Sequence, residues 1–463
     1  MKIFNTGSWL LAATISAVAI CIGSFASGAD TAPKHDRIVV LMSIDGLANF
    51  YMDDPAAETP TIRKLAAEGA KAASMRASDP TVTWPNHTTL VTGVSPARHG
   101  VAGNNFFDRA RGERLTVIWD PAFDKEEIVK VPTIYDVAKA GGLKTAAVHW
   151  PATRNARSLD WTSPDVMKLE LTSKYTTPSL LKECQEAGLD LLTMEDGKPR
   201  QRNESTVEDD FWTRVFNLII NKHRPNLALF HVLSVDQTQH LQGPRTPPAY
   251  EAIKAADNQV RQVWDELQRS FPGKATLIIV SDHGFSLNKA NIPLNATLKK
   301  AGLVEMTGTR ITGGDLQVVV QGGSAFIHVI NEANRESIIT RFKQAFAGVD
   351  GVAKIASRDE FANYGIGDPR RDPYAPDLVL FAKLGYYFGD TAAGGKKELR
   401  GSHGYDSTLP DMQAVFVASG AGIKPGTKLG PIENTSVAPT IARLLGVELP
   451  TAEGKVLTEA LEE

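Results

Sequence analysis

Five short apolar runs constrain this 463-residue chain more than any other feature: Arg37 to Ile44, Lys144 to Trp150, Asn226 to Leu233, Ala275 to Val280 and Gln413 to Ser419. Runs this short, with few polar interruptions, read as parallel strands buried on both faces. Amphipathic helical stretches lie between them, at Thr61 to Glu68, Thr133 to Ala140, Pro248 to Ser270 and Ser436 to Leu445. The alternation predicts an α/β sandwich around a mainly parallel sheet. In such sheets ligands gather beyond the carboxyl ends of the strands. Asp45 ends the first run, Asp236 follows the third, and Asp282 with His283 follows the fourth. Three strands therefore deliver carboxylates to one edge, which predicts a single composite site.

Residues 155–210 are polar and irregular, and residues 286–400 mix short strands, helices and glycine-rich turns. The second stretch is expected to be an inserted cap that shapes the substrate pocket of a catalytic domain spanning 30–463, whose core resumes near Leu399. The first 29 residues carry one charge, Lys2, followed by an apolar run from Trp9 to Ile22 and small residues from Ala26 to Ala29. That is the pattern of a secretory signal peptide, and the run is too short to span a membrane comfortably. Cys21 does not mark a lipoprotein site, because Ile20 is too bulky for the position before it. Removal of the leader would leave Cys184 as the one remaining cysteine, so no internal disulfide forms. Export without disulfides suits a bacterial periplasm or secreted fraction. With 50 basic and 53 acidic residues and no basic tract, neither a nucleic-acid duplex nor an anionic membrane surface is an expected partner.

Four clusters carry metal-ligand or nucleophile chemistry. The first is Ser43-Ile44-Asp45-Gly46; alone, a strand-ending Asp is more often a turn former or helix cap. The second is Thr83-Trp84-Pro85-Asn86-His87, continuing to Thr92 and Gly93. Pro85 suits a first helical turn, which puts Thr83 at a helix N-terminus where backbone N–H groups and the dipole favour an anion. Taken by itself, Thr83 is more simply explained as a plain N-cap. The third is Asp236-Gln237-Thr238-Gln239-His240, whose Asp and His share a helical face at i and i+4; a surface hydrogen bond would use the same spacing. The fourth joins Ser281-Asp282-His283-Gly284 to Gly401-Ser402-His403-Gly404-Tyr405-Asp406. Taken together, the Asp, His and Thr residues suffice for two zinc ions about 4 Å apart, the arrangement that supports in-line displacement at phosphorus.

The order of these motifs resembles the nucleotide pyrophosphatase/phosphodiesterase family, the type I phosphodiesterases of the alkaline phosphatase superfamily. The similarity runs from about residue 37 to 445 and is densest from Thr83 through Asn86-His87 and Val91-Thr92-Gly93 to Pro96 and His99-Gly100. It implies an alkaline-phosphatase-like three-layer fold and two bound metals, zinc or other divalent ions. One would be held by Asp45, Asp282, His283 and the Thr83 oxygen, the other by Asp236, His240 and His403. Thr83 is then the nucleophile that forms a phosphothreonine. Asn104 would donate to a phosphoryl oxygen, with Asn105 taking that role if the register differs by one. Trp84 would line the pocket and stack on a flat group. His87, His99 and His149 are expected to be structural, His35, His223, His231 and His328 show no partner pattern, and Asp406 either orients His403 or lies on the surface.

The expected substrate is a small, nucleotide-like phosphate diester. A phosphomonoesterase is the main rival, with Arg154 or Arg157 supplying extra positive charge; Ala152 stands after Trp150-Pro151 where the family commonly has glycine, which leaves substrate choice open. A phosphonate or lipid head-group hydrolase would use the same scaffold. A sulfatase would need a cysteine or serine and an arginine that Thr83 to His87 lacks. A phosphate-binding protein without activity would have lost a ligand or the nucleophile, and every one is in place.

Overall fold

The structure, a computed structural model, describes residues 33–118, 123–194, 197–200, 205–308, 310–388 and 400–463. The expected leader at 1–29 lies outside the described residues. Strands β1 (Ile38–Ile44), β2 (Ala70–Ala72), β3 (Thr145–Val148), β4 (Trp161–Ser163), β5 (Leu227–Val232) and β6 (Ala275–Val280) precede residue 286. Strands β7 (Leu316–Val320), β8 (Ser324–Val329), β9 (Val352–Ser357) and β10 (Leu378–Ala382) form a separate sheet, after which β11 (Phe416–Gly420) and β12 (Thr427–Leu429) return to the first. The central sheet has the order β12-β2-β11-β6-β1-β5-β3-β4.

Helices α1 (Thr83–Thr92), α2 (Ile134–Ala140), α3 (Thr206–His223), α4 (Ser234–Gln242), α5 (Pro247–Ser270) and α6 (Val437–Leu445) pack against that sheet or cap its edge. The alternation of side chains along β1 makes the layers. Ile38, Val40, Met42 and Ile44 pack with Phe216, Ile220, Val260 and Leu267 of α3 and α5, whereas Val39 and Leu41 pack with Leu90, Ala138, Ile441 and Leu445 of α1, α2 and α6. All residues of β1, β5 and β6 are buried, as the apolar runs predict for the middle of a sheet covered on both faces. The result is the three-layer α/β sandwich.

All five apolar runs are central strands, but the last differs in direction. β11 runs antiparallel to β6, with Phe416 opposite Val280. The reason is connectivity: β6 leaves the sheet at Asp282, and the chain re-enters from His403, on that same side. The stretch 155–210, irregular in sequence, contains β4 and helices Leu169–Tyr175 and Pro178–Glu186.

The second sheet has the order β7-β8-β10-β9, entirely antiparallel, and a hydrophobic cluster of its own that includes Leu316, Ile327, Phe342, Phe346 and Leu380. In front of it stands the hairpin Asn105–Asp108/Glu113–Thr116. Gln321, just after β7, donates to the Asn105 carbonyl at 2.6 Å.

His99 and His328 are buried in this framework, and burial pushes each imidazole down to about 3. Their folded values lie below the unfolded value near 6.5, so the neutral rings stabilise the fold fully above that pH and lose this contribution as pH falls toward 3. Denaturant titrations between pH 7 and 4 should show stability falling below pH 6.5, by up to about 1.4 kcal/mol per pH unit for each such ring. His328→Phe should flatten that slope.

Candidate active site

The residues singled out from sequence converge at the carboxyl edge of the central sheet. Asp45 directly follows β1, and its N–H donates to the Val232 carbonyl at 2.9 Å, which ties the end of β1 to the end of β5. Asp236 and His240 lie on α4, which starts two residues after β5, and Asp282 and His283 follow β6. His403 arrives from the return segment beside the short strand Gly401–Ser402.

Three imidazoles are set in the same way. Nδ1 of His240 lies 3.0 Å from the Gly401 carbonyl, Nδ1 of His403 lies 2.9 Å from the Thr81 carbonyl, and Nδ1 of His283 lies 3.1 Å from the Gly284 carbonyl. A carbonyl only accepts, so each Nδ1 carries the proton and each Nε2 presents a lone pair. Those lone pairs meet one another and carboxylate oxygens. His240 Nε2 is 3.2 Å from His403 Nε2 and 3.3 Å from Asp236 Oδ2, and His403 Nε2 is 3.5 Å from Asp236 Oδ1. His283 Nε2 is 3.1 Å from Asp282 Oδ2 and 3.4 Å from Asp45 Oδ1.

Lone pairs packed against lone pairs and carboxylates repel unless a cation lies among them. Tetrahedral nitrogen and oxygen ligands at zinc bond lengths stand about 3.3 Å from one another, the spacing seen in both groups. The donor chemistry therefore fits divalent cations. Asp236, His240 and His403 form one candidate group; Asp45, Asp236 and His283 also come within metal-sharing reach, because the two clusters adjoin.

Burial tunes these ligands to the same end. It pushes His240 down to about 4 and His403 down to about 3, while burial and the neighbouring imidazoles hold His283 well below its usual range. All three rings stay neutral at neutral pH. Burial pushes Asp282 up to about 7, a cost that an adjacent cation offsets.

Thr83 is the first residue of α1, after an extended Val82, so its hydroxyl lies at the positive end of the helix dipole. It lines an open cleft of about 360 Å³ together with Asp45, Asn104, Asp236, His240 and His403. The Trp84 N–H donates to Asn104 Oδ1 at 2.8 Å, which places that carboxamide beside Thr83 and leaves its NH₂ as the end offered to the cleft. Asn105 also lines the cleft, but its carbonyl is occupied by Gln321.

Several sequence expectations change. Trp84 does not face the cleft: it is 2% exposed, packs with Val101, Ala102 and Phe106, and its indole N–H donates to Asp165 at 3.2 Å. A ring enclosed in this way has no face to offer a ligand. Asp406 does not orient His403, whose Nδ1 is held by Thr81, and instead accepts from Thr408. The stretch 286–400 supplies none of the described residues lining the cleft; the outer wall comes from the hairpin region through Asn105, Thr116 and Ile118, with the second sheet behind it. Arg154 pairs with Asp124 and stacks on Tyr175, and Arg157 lines a separate groove with Asp124 and Lys174. Among the described residues lining the catalytic cleft, none is Lys or Arg.

Sequence reasoning passed over His231 and Asp165. His231 is fully buried between two acceptors, with Nε2 3.0 Å from Asp45 Oδ2 and Nδ1 3.1 Å from the His149 carbonyl, so it holds the carboxylate from behind when Nε2 carries the proton. Its signal was a lone imidazole between Phe230 and Val232 in an otherwise apolar strand. Asp165, beyond β4, borders the cleft from a stretch with no readable pattern. His87, expected to be structural, has its Nδ1 2.9 Å from the Thr83 carbonyl and 3.6 Å from Asp282 Oδ2.

An edge of Asp and His groups that could hold metal ions, with a threonine at a helix N-terminus on this three-layer sandwich, fits a phosphoric ester hydrolase of the alkaline-phosphatase-like class. The chain belongs to the type I phosphodiesterase / nucleotide pyrophosphatase family, whose sequence model matches residues 39–406. It is 24% identical over 438 residues to an uncharacterised pyrophosphatase/phosphodiesterase of Schizosaccharomyces pombe, covering 91% of this chain and 79% of that one. It is also 24% identical over 456 residues to ectonucleotide pyrophosphatase/phosphodiesterase family member 7 of Rattus norvegicus, covering 94% and 89%. The fold is similar to that of human ectonucleotide pyrophosphatase / phosphodiesterase 5, with a TM-score of 0.69, 20% identity and coverage of 92% of this chain and 100% of that one. The murine form has been solved as an inactive variant in complex with AMP, with the same score and coverage. Among the described residues, no helix is long and apolar enough to cross a membrane.

Proposed function

We propose that this chain hydrolyses small, nucleotide-like phosphate diesters through a phosphothreonine on Thr83. In this reading Asp236, His240 and His403 hold one zinc ion, and Asp45, Asp282, His283 and the Thr83 oxygen hold another. The observation that carries it is the set of three Nε2 lone pairs, each fixed by a backbone carbonyl and turned toward carboxylates beside a helix-terminal threonine. When bound, such cations favour the alkoxide form of a hydroxyl and stabilise charge on the leaving oxygen.

The chain's own groups do the rest. Thr83 Oγ loses its proton and attacks phosphorus in line, and the ester oxygen opposite departs with the bonding pair and takes up a proton. The Asn104 NH₂ meets a phosphoryl oxygen as negative charge moves onto it, and the positive end of the α1 dipole favours the same charge. Water then attacks the same phosphorus, Thr83 Oγ leaves, and a phosphate monoester is released. The engagement of Arg154 and Arg157 elsewhere favours a singly charged diester over a dianionic monoester. The AMP bound by the murine relative supports a nucleotide-like organic part. Residues 1–29 are proposed as an export leader. Residues 286–400 are proposed as an insertion that braces the cleft wall rather than forming it.

The test is kcat/KM for a matched diester and monoester carrying the same leaving group. The diester is expected to win by at least about tenfold, or 1.4 kcal/mol in transition-state binding; a monoester preference would overturn this substrate assignment. Removing the brace on Asp45 by His231→Leu should weaken metal binding about 10- to 100-fold, read by competition with a chromogenic chelator.

A further inference from the structure

Gln239 stands between Asp236 and His240 in α4, yet its side chain points away from the cleft and is fully buried. Its Nε2 donates to the Gly46 carbonyl at 2.9 Å, and its Oε1 accepts from the Tyr51 hydroxyl at 2.9 Å. Tyr51 is itself buried, and its oxygen accepts the Arg245 N–H at 2.8 Å, from the loop that follows α4. On its other side Gly46 donates its N–H to Asp282 Oδ1 at 3.1 Å, and that oxygen also accepts the His283 N–H at 3.0 Å. Gly46 immediately follows Asp45. A continuous buried chain thus runs from the Asp236/His240 helix through Gln239 and Gly46 to Asp282 and the Asp45 turn.

Gly46 leaves no slack in this chain. It has φ +67°, and a Cβ there would meet Asp236 Cα at 3.2 Å and the Phe285 ring at 3.1 Å. The turn after β1 is therefore wedged against the start of α4, and the Gln239 side chain bonds across that wedge from the helix carrying the ligands.

We propose that Gln239 is a positioning residue that sets the spacing between the two metal-binding clusters, so that occupation of one prepares the other. The proposal rests on the two-metal reading above. A carboxamide is suited to the task because it donates to Gly46 and accepts from Tyr51 at once; a carboxylate keeps only the second bond, and leucine keeps neither. Each lost partner leaves a buried polar group unpaired on the segment that orients a ligand.

The experiment titrates zinc into metal-stripped protein by calorimetry, for the wild type, Gln239→Leu, Gln239→Glu and Tyr51→Phe. Wild-type protein should take up two zinc ions with linked affinities. Gln239→Leu should weaken both binding steps, by about 10-fold or more each, and abolish the linkage between them. Gln239→Glu should lose the linkage while retaining more affinity than the leucine variant, and Tyr51→Phe should show a smaller loss of the same kind. Each variant is also checked by circular dichroism and thermal melting, so that simple unfolding is recognised. If a folded Gln239 variant weakens only one step, or keeps wild-type linkage, the positioning role is overturned while the two-metal reading stands. If wild-type protein binds fewer than two zinc ions, it is that reading that fails.

Discussion

Thr83→Ala is expected to lower kcat for a phosphate diester by at least about 10⁴-fold while leaving the fold intact. The side chain sits at the first position of α1, its neighbours are held by backbone bonds, and the Trp84 N–H remains tied to Asn104, so removal of one hydroxyl leaves the cleft standing. What disappears is the atom proposed to attack phosphorus, and Asn104 with the helix dipole can give only residual stabilisation to attack by water. Thr83→Ser should retain measurable turnover, since it keeps the oxygen and loses only a methyl group. Rapid acid quench with a phosphorus-labelled diester should trap label on the wild-type and serine proteins and none on the alanine protein. A labelled alanine variant would place the nucleophile elsewhere.

Stripping metal should be comparably severe, and its effect should extend to stability. Asp45, Asp282 and His283 are almost completely buried, with carboxylate oxygens of Asp282 and Asp45 crowded 3.1 and 3.4 Å from His283 Nε2. Without cations these groups repel; with them, binding free energy adds to folding free energy. For two ions each present at about 1,000 times its dissociation constant, mass action contributes about 8 kcal/mol. In a chain of this length that corresponds to a rise of roughly 5–10 °C in melting temperature. Dialysis against a strong chelator should therefore remove turnover and lower the melting temperature by about that amount, and zinc should restore both. His403→Ala should behave as a partial version, with weaker zinc binding and loss of turnover on added metal. Unchanged activity after verified removal of metal would contradict the mechanism.

Much of the site was legible in the sequence because strand ends are easy to find and parallel sheets collect function there. Once β1, β5 and β6 are recognised as apolar runs, Asp45, Asp236 and Asp282 must reach the same edge, whatever the loops do. The i,i+4 pairing of Asp236 with His240 and the helix opening at Thr83 followed from local rules alone. His403 lies more than 100 residues beyond its partners, and only its place in a familiar order of motifs tied it to them.

Other features could not be read in this way, for specific reasons. The enclosure of Trp84 depends on Val101, Ala102, Phe106 and the carboxylate of Asp165, and nothing in Thr83 to His87 announces them. The direction of β11 is set by where the chain re-enters after 400, not by its apolar pattern. His231 looked solitary because its partners, Asp45 and the His149 carbonyl, come from neighbouring strands rather than from neighbouring residues. Gln239 read as an unremarkable helical position, since its two bonds close only when the turn after β1 packs against α4. The part played by the hairpin at 105–116 in the cleft wall was not legible because the hairpin is short, whereas 286–400 is long enough to suggest a cap.

The most direct test is anomalous diffraction at the zinc edge from crystals of the full chain grown with zinc. Two peaks about 4 Å apart are expected, one among Asp236, His240 and His403 and the other among Asp45, Asp282, His283 and the Thr83 oxygen. A single peak, or two peaks lying away from these side chains, would contradict the account.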